Sequence, residues 1–354
     1  MTGDQSSWVE PTPARPLGSE SVLTAAQVAS WRERGFALVD GVFAASLIEA
    51  ALDAARQAFP EAGSTAAERV TDFGSTGRMQ FPARSDAVNA LTLEPRLLRA
   101  ISELLDAPVL DLRLTQSDLW AKYGRENRAG GARDNSDQRI HVDYPNHTLT
   151  HPPPWHSPEA VELILYLSDV EVCGGATALV PREGDDDDAY SWPITNTPGV
   201  GGLDWVNDRE SAETYLEGAA PAVAKWRAKQ LYPREQRARY RTGSVLFYRH
   251  DLWHRGTPLE PGVRRLVQNM TFRLARSEWI STLQTGWAWA MYRPSAPMER
   301  LIARLSVEQR CVLGFPKPGD GYWTRETIDA VEARYGPYGI EMAPYRAALD
   351  EAAS

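Results

Sequence analysis

The chain has 354 residues, long enough for one large domain with a sizeable core, and its apolar (43%) and charged (24%) fractions are those of a globular protein. Its formal net charge of -9, with no block of lysine and arginine, argues against nucleic acid or an anionic membrane as partner and favours a small-molecule substrate. Two cysteines, Cys173 and Cys311, are too few for a disulfide framework and read as reduced thiols of a cytoplasmic protein.

Residues 1–20, MTGDQSSWVEPTPARPLGSE, have neither a basic start nor an apolar run; they are expected to form a flexible arm ahead of a single domain over 21–354. LTAAQVASWRERG predicts a short helix with Thr24 as N-cap and Gly35 as its stop. FALVDGVF predicts a brief strand and turn. AASLIEAALDAARQAF and PRLLRAISELLD predict two further helices, the second with Pro95 in its first turn. The period then changes: LDLRLTQSDLWAKY, AVELILYLSDV, ATALVP, GSVLFYR and RRLVQNMTFR are short runs rich in branched and aromatic residues, bounded by Gly, Pro, Asn and Asp. Because most neighbours have no helix of crossover length between them, an antiparallel barrel or sandwich is predicted, mainly β with flanking helices. A long insertion at about 183–241 contains the acidic run Asp185 to Asp188, read as a solvated loop, and a helix in SAETYLEGAAPAVAKWRAKQL. After Arg276 helical patterning returns in WISTLQTGWAWAMY, PMERLIARLSVEQRCVLGF and RETIDAVEARYG, with Trp287 and Trp289 read as packing residues. No stretch reaches the roughly 18 uninterrupted apolar residues that cross a bilayer.

All six histidines, His141, His147, His151, His156, His250 and His254, fall in the strand-rich middle. In RIHVDY, His141 and Asp143 are two apart, so an extended backbone puts both on one face, where they can bind one metal. A non-haem oxygenase iron takes two imidazoles and one carboxylate and keeps its other positions open, so a distal histidine is required. TGSVLFYRHDLWHRGTP offers His250 and His254; its strand and turn pattern selects His254. HDLWH also has the spacing of a helical zinc pair, but it lacks the glutamate of H-E-x-x-H, which disfavours a zinc hydrolase. A co-substrate carboxylate needs a cation, best a planar guanidinium, and Arg264 and Arg265 open the next strand, where alternation lets one of them face inward.

Together these segments resemble the phytanoyl-CoA dioxygenase-like family of iron(II) and 2-oxoglutarate enzymes: LTAAQVASWRERGFALVDGVF, WAKYG and RIHVDY, then LILYLSDVEVCGGATALVP, then GSVLFYRHDLWHRGTPLEPGVRRLV, spanning about 23–273. The resemblance implies a double-stranded β-helix (jelly roll, cupin-like) core. It also implies iron(II) at His141, Asp143 and His254, 2-oxoglutarate and O2 as co-substrates, and ascorbate as a stimulant. Its usual arginine, eleven residues past the distal histidine, favours Arg265 over Arg264, and Lys122 matches a lysine often found near the co-substrate. Where halogenating relatives have a small residue, this chain keeps Asp143, so hydroxylation of a small-molecule C–H bond is expected. The chain departs from the pattern at Pro181, Arg182, Glu183 and Gly184, in place of proline-glycine-serine-histidine, and in its long insertion, which is expected to be a lid over the mouth. The alternative reading is a cupin-like binding barrel without catalysis.

Overall fold

The structure is a computed structural model that describes residues 7–70, 79–125, 136–143, 158–184, 186–191, 198, 203–204, 206–276, 297–321, 323–325, 328, 331–332 and 335–352. The first layer is helical. Helix α1 (Ala25–Arg34) opens on a reciprocal cap: the Thr24 hydroxyl accepts the Gln27 N–H at 3.2 Å and Gln27 Oε1 accepts the Thr24 N–H at 2.8 Å. It closes at Gly35, whose φ of 94° suits a residue with no side chain. Helices α2 (Ala45–Ala58), α3 (Thr65–Glu68), α4 (Asp86–Thr92) and α5 (Pro95–Leu105) follow. On α5 the residues Leu97, Leu98, Ile101, Leu104 and Leu105 are all buried, one stripe of a 3.6-residue period.

These stripes pack on a six-stranded sheet with the order β2 (Thr12–Pro13), β3 (Phe36–Asp40), β8 (Val245–Tyr248), β5 (Ala160–Tyr166), β10 (Arg264–Leu274), β4 (Leu112–Tyr123). Apart from the parallel β2–β3 pair it is antiparallel. Alternation divides each strand cleanly. Val161, Leu163, Leu165, Val245, Phe247, Leu266, Met270 and Phe272 join the helical core. Ile164, Tyr166, Leu246, Tyr248 and Val267 join a second core with Leu179 and Ala238 from the opposite sheet and with Tyr240 and Leu259 from the segments that follow its strands. Burying one such Leu, Ile or Phe is worth about 1.5–3 kcal/mol, so a register slip of one residue in β5 or β10 would be strongly opposed.

The second sheet has the order β1 (Ser7–Val9), β7 (Gln236–Ala238), β6 (Thr177–Leu179), β9 (His254–Gly256). Two mixed sheets lying against each other, with helices outside, make the jelly-roll arrangement expected from the sequence, although the sheets do not close into a barrel. The segment 7–20, expected to be a flexible arm, instead adds an edge strand to each sheet: Ser7–Val9 runs parallel to β7 and Thr12–Pro13 parallel to β3. A proline fits such an edge because its missing N–H is not needed there.

The insertion is likewise built into the fold. Its described part forms α7 (Asp188–Ser191), α8 (Arg209–Ala219), α9 (Pro221–Gln230) and β7, with Pro221 splitting the helix predicted from the sequence into two. Short α6 (Val170–Cys173) lies earlier, between β5 and β6. The described part of the insertion buttresses the outer face of the small sheet. There Trp226, Leu231 and Ala189 pack with Ile140, Val142, Val180 and Trp253. Asp187, inside the acidic run read as a solvated loop, is buried and clamped by Arg234 through two hydrogen bonds of 2.7 Å. Helices at Pro297–Arg304, Val307–Val312 and Ala343–Ala352 follow, and a core of Ile302, Trp323, Ile328, Tyr335, Ile340 and Tyr345 forms in this C-terminal part. His147, His151, His156, Trp287 and Trp289 lie outside the described residues. Among the described residues no helix is long and apolar enough to cross a membrane.

Candidate metal centre

The segment 138–143 runs along the edge of β9 and is held there by its backbone. His141 and His254 exchange two N–H to carbonyl bonds of 2.9 Å, Gln138 N–H donates to the Gly256 carbonyl at 3.0 Å, and Asp143 N–H donates to the His250 carbonyl at 3.1 Å. With Ile140 and Val142 committed to the outer core, alternation turns His141 and Asp143 inward, and Trp253 does the same for His254. The three side chains converge. His141 Nε2 lies 3.5 Å from Asp143 Oδ1 and His254 Nε2 lies 3.5 Å from Asp143 Oδ2, and one ligand atom from each residue lies within 4.8 Å of the others. All three are buried, and they are the one such group among the described residues able to hold a metal ion.

The chain also fixes how these groups present themselves. Each imidazole has Nδ1 beside the carbonyl two residues earlier, His141 to Arg139 at 3.1 Å and His254 to Leu252 at 2.9 Å. A proton on Nδ1 leaves the Nε2 lone pair facing the centre, the tautomer a metal requires. Burial, the neighbouring His254 and Arg139 drive the His141 imidazole down to about 3, outweighing the pull of Asp143, so it is neutral near pH 7. Tyr248, which the sequence reading did not single out, donates its hydroxyl to Asp143 Oδ2 at 2.8 Å and orients the carboxylate. Its sequence signal was its place on the inward face of VLFY, in step with Leu246.

His250 is set apart from this group. It is buried with Nε2 3.0 Å from Glu162 Oε1. Burial would lower its pKa, but the Glu162 carboxylate, with Asp143 and Asp251, holds it above the usual histidine value. A cationic imidazole in an ion pair is a poor metal ligand.

The two arginines part as alternation requires. Arg264 points to the helical side, where it donates to the Phe59 and Pro60 carbonyls at 2.8 Å each and pairs with Glu61 at 3.3 Å. Arg265 points between the sheets and is buried; its Nη1 donates to the Gly175 carbonyl and its guanidinium lies 5.9 Å from the Trp120 ring centroid. Arg265 Nε is buried without an acceptor among the described residues. Directly across the strand pair sits Lys122, also buried, donating to the Ser136 carbonyl at 3.1 Å. Gly175 has φ of 65°, and a Cβ there would meet Leu259 Cδ2 at 2.7 Å and Arg265 Nη1 at 3.4 Å, so the backbone approaches this cation only because the residue is glycine. Tyr166 and Tyr240 stack beside it with ring centroids 3.7 Å apart.

A family model described as phytanoyl-CoA dioxygenase (PhyH) matches residues 31–265, about two thirds of the chain. The chain belongs to the phytanoyl-CoA dioxygenase family. Like this family member, EvdO2 from Micromonospora carbonacea var. aurantiaca has the same fold, with a TM-score of 0.50 at 12% identity over 74% of this chain and 98% of that one. The epimerase SnoN, solved with Fe3+, alpha ketoglutarate and nogalamycin RO, is 20% identical over 71% of this chain and 83% of its own, with a TM-score of 0.47. HygX from Streptomyces hygroscopicus, solved with nickel and 2-oxoglutarate, is 19% identical over 72% of this chain and 88% of its own, with a TM-score of 0.41. No curated protein matches the sequence.

Proposed function

We propose that this protein is an iron(II)- and 2-oxoglutarate-dependent dioxygenase that hydroxylates a C–H bond of a small molecule, with succinate and carbon dioxide as co-products. The observation that carries this reading is the buried His141, Asp143 and His254 triad, facing the same interior as Arg265, a buried guanidinium with an unused donor.

The residues fit the group the family implies. Two imidazoles with Nε2 turned inward and one carboxylate are the donor set of a non-haem iron(II) site with positions left open. A guanidinium whose Nε has no acceptor among the described residues is an incomplete fork that a carboxylate completes. When bound, iron and 2-oxoglutarate with O2 supply the oxidising power for the C–H bond. The chain's own part is to hold and orient. His141, Asp143 and His254 would hold the metal, and Tyr248 fixes the Asp143 carboxylate. Arg265 would bind the distal carboxylate of 2-oxoglutarate, with Lys122 adding positive charge at the same end of the interior. The buried Tyr166 and Tyr240 rings exclude water on their side of that cation, which strengthens its hold on an anion. Keeping a carboxylate at position 143 favours hydroxylation over halogenation.

The test is reconstitution with Fe(II) under anaerobic conditions, titration with 2-oxoglutarate, and then release of succinate on admitting O2. The expected result is one iron and one 2-oxoglutarate per chain and iron-dependent succinate, all lost in His254→Ala. A protein that binds neither iron nor 2-oxoglutarate, or binds them and never forms succinate with any substrate pool, would be a binding barrel instead.

A further inference from the structure

The turn between α6 and β6 carries two consecutive glycines, Gly174 and Gly175, both with φ of 65°. Gly174 combines that φ with a ψ of -149°, a pairing open almost only to glycine. Two glycines in a row make the loosest link a chain can contain, so the peptide between them keeps one orientation only if partners hold it. On one side those partners are backbone groups of the segment leaving β9. Gly175 N–H donates to the Pro258 carbonyl at 2.8 Å, Glu260 N–H to the Cys173 carbonyl at 2.9 Å, and Thr257 N–H to the Ala176 carbonyl at 3.0 Å. On the other side they are two tyrosines. The Tyr166 hydroxyl lies 2.6 Å from Thr177 Oγ1, and Tyr240, just past β7, donates its hydroxyl to the Gly174 carbonyl at 2.8 Å and reaches the Gly175 carbonyl at 3.3 Å.

The Gly175 carbonyl is also the oxygen that accepts Arg265 Nη1. The phenol and the guanidinium therefore meet on one peptide. Tyr240 has little freedom to leave it, because the side chain is buried and its ring lies flat on Tyr166, with the two planes 2° apart. A guanidinium is planar and rigid, so fixing Nη1 also fixes where Arg265 Nε points. The segment that pins the turn reaches the other two parts of the site as well: the Thr257 carbonyl lies 3.5 Å from Lys122 Nζ, and the strand leading into it opens at His254.

We propose that Tyr240 is a positioning residue for the co-substrate: its hydroxyl fixes the Gly174–Gly175 peptide, and that peptide aims the Arg265 guanidinium at the distal carboxylate of 2-oxoglutarate. This rests on the oxygenase reading above. Because Tyr240 acts through Arg265, its contribution to 2-oxoglutarate affinity exists only while that guanidinium is present. A residue that merely held the core together would cost the same affinity with or without Arg265.

The experiment is a double-mutant cycle read by anaerobic calorimetry of 2-oxoglutarate into the full chain loaded with Fe(II). Its members are the unaltered protein, Tyr240→Phe, Arg265→Gln and the double variant. Phenylalanine keeps the ring and its stack on Tyr166 and removes only the hydroxyl. Tyr240→Phe is expected to bind one iron as before and to hold 2-oxoglutarate about five- to tenfold more weakly, the loss of one hydrogen bond. In the Arg265→Gln background the same change is expected to cost less than about twofold, since coupled residues are not additive. If the phenylalanine variant does not bind iron, Tyr240→Met, which also lacks the hydroxyl, takes its place in the cycle. Unchanged affinity in Tyr240→Phe, equal losses in the two backgrounds, or loss of iron from both Tyr240 variants overturns the proposal. An unaltered protein that binds no 2-oxoglutarate, or binds it equally well after Arg265→Gln, counts instead against the oxygenase reading with Arg265 as its anchor.

Discussion

Replacing Arg265 by glutamine should separate co-substrate binding from folding. The side chain is buried, its Nη1 is used by the Gly175 carbonyl, and its Nε has no acceptor among the described residues. Removing the charge therefore costs the protein one hydrogen bond to a neutral carbonyl and relieves one unsatisfied donor, a small net change in stability. For a bound carboxylate the loss is larger, because a charge-assisted hydrogen bond is worth about 1.5–3 kcal/mol. At about 1.4 kcal/mol per factor of ten, the dissociation constant of 2-oxoglutarate should rise roughly 10- to 150-fold. Arg265→Lys, keeping the charge without the fork, should fall between. Arg264→Gln should leave the affinity unchanged, since that guanidinium is spent on the Phe59 and Pro60 carbonyls at the other face of the sheet. Calorimetric titration of 2-oxoglutarate into each iron-loaded variant measures all three. Equal and small effects at 264 and 265 would refute the reasoning and place the co-substrate elsewhere.

Three further outcomes can be checked separately. His254→Ala should abolish stoichiometric iron binding measured by metal analysis, whereas His250→Ala should retain iron and lose mainly the Glu162 ion pair; the reverse pattern would reassign the distal ligand. Tyr248→Phe should weaken iron binding by about 10- to 100-fold, the usual cost of losing a group that orients a ligand, while the melting temperature measures whether the fold survives. Burial alone would raise the Asp187 carboxyl, but hydrogen bonds from Arg234 and the Glu183 and Ala189 N–H groups hold it below its ordinary value. Because the folded value is the lower one, its stabilising effect is complete above about pH 4 and disappears as pH falls through the folded value. Asp187→Asn should therefore flatten the acid limb of stability measured by urea unfolding between about pH 5 and pH 3, and an unchanged slope would exclude this clamp as its origin.

Much of the centre was legible because it follows short-range rules. The period of two in RIHVDY placed His141 and Asp143 together, and the same period parted Arg264 from Arg265. The five β runs were visible as branched and aromatic clusters, and each became a strand. What stayed hidden depends on distant partners. Ser7–Val9 has no strand pattern of its own and is extended because β7 offers it an edge. His254 was expected just after a turn, but it opens β9 because its backbone pairs with His141 on one side and Leu179 on the other. Asp187 looked like one of four solvated acids, and only the position of Arg234, 47 residues on, makes it a buried anchor. The insertion carried a helical pattern, yet the face on which it would lie is set by Trp226 and Trp253, whose rings meet edge-on at 5.7 Å.

The buttress has a consequence for engineering. Arg227, fully buried, ties the Ile140 carbonyl to Glu213, and Arg139 is held by Asn207, so the strand presenting His141 is supported from behind by the insertion. A segment with that role is a poor place to graft loops from relatives: an exchange at 183–241 would carry away the rear wall of the metal centre together with its surface. Retargeting would do better to begin on β4 and β10, whose inward residues can be exchanged one at a time while the hydrogen-bonded frame that holds the two histidines stays whole.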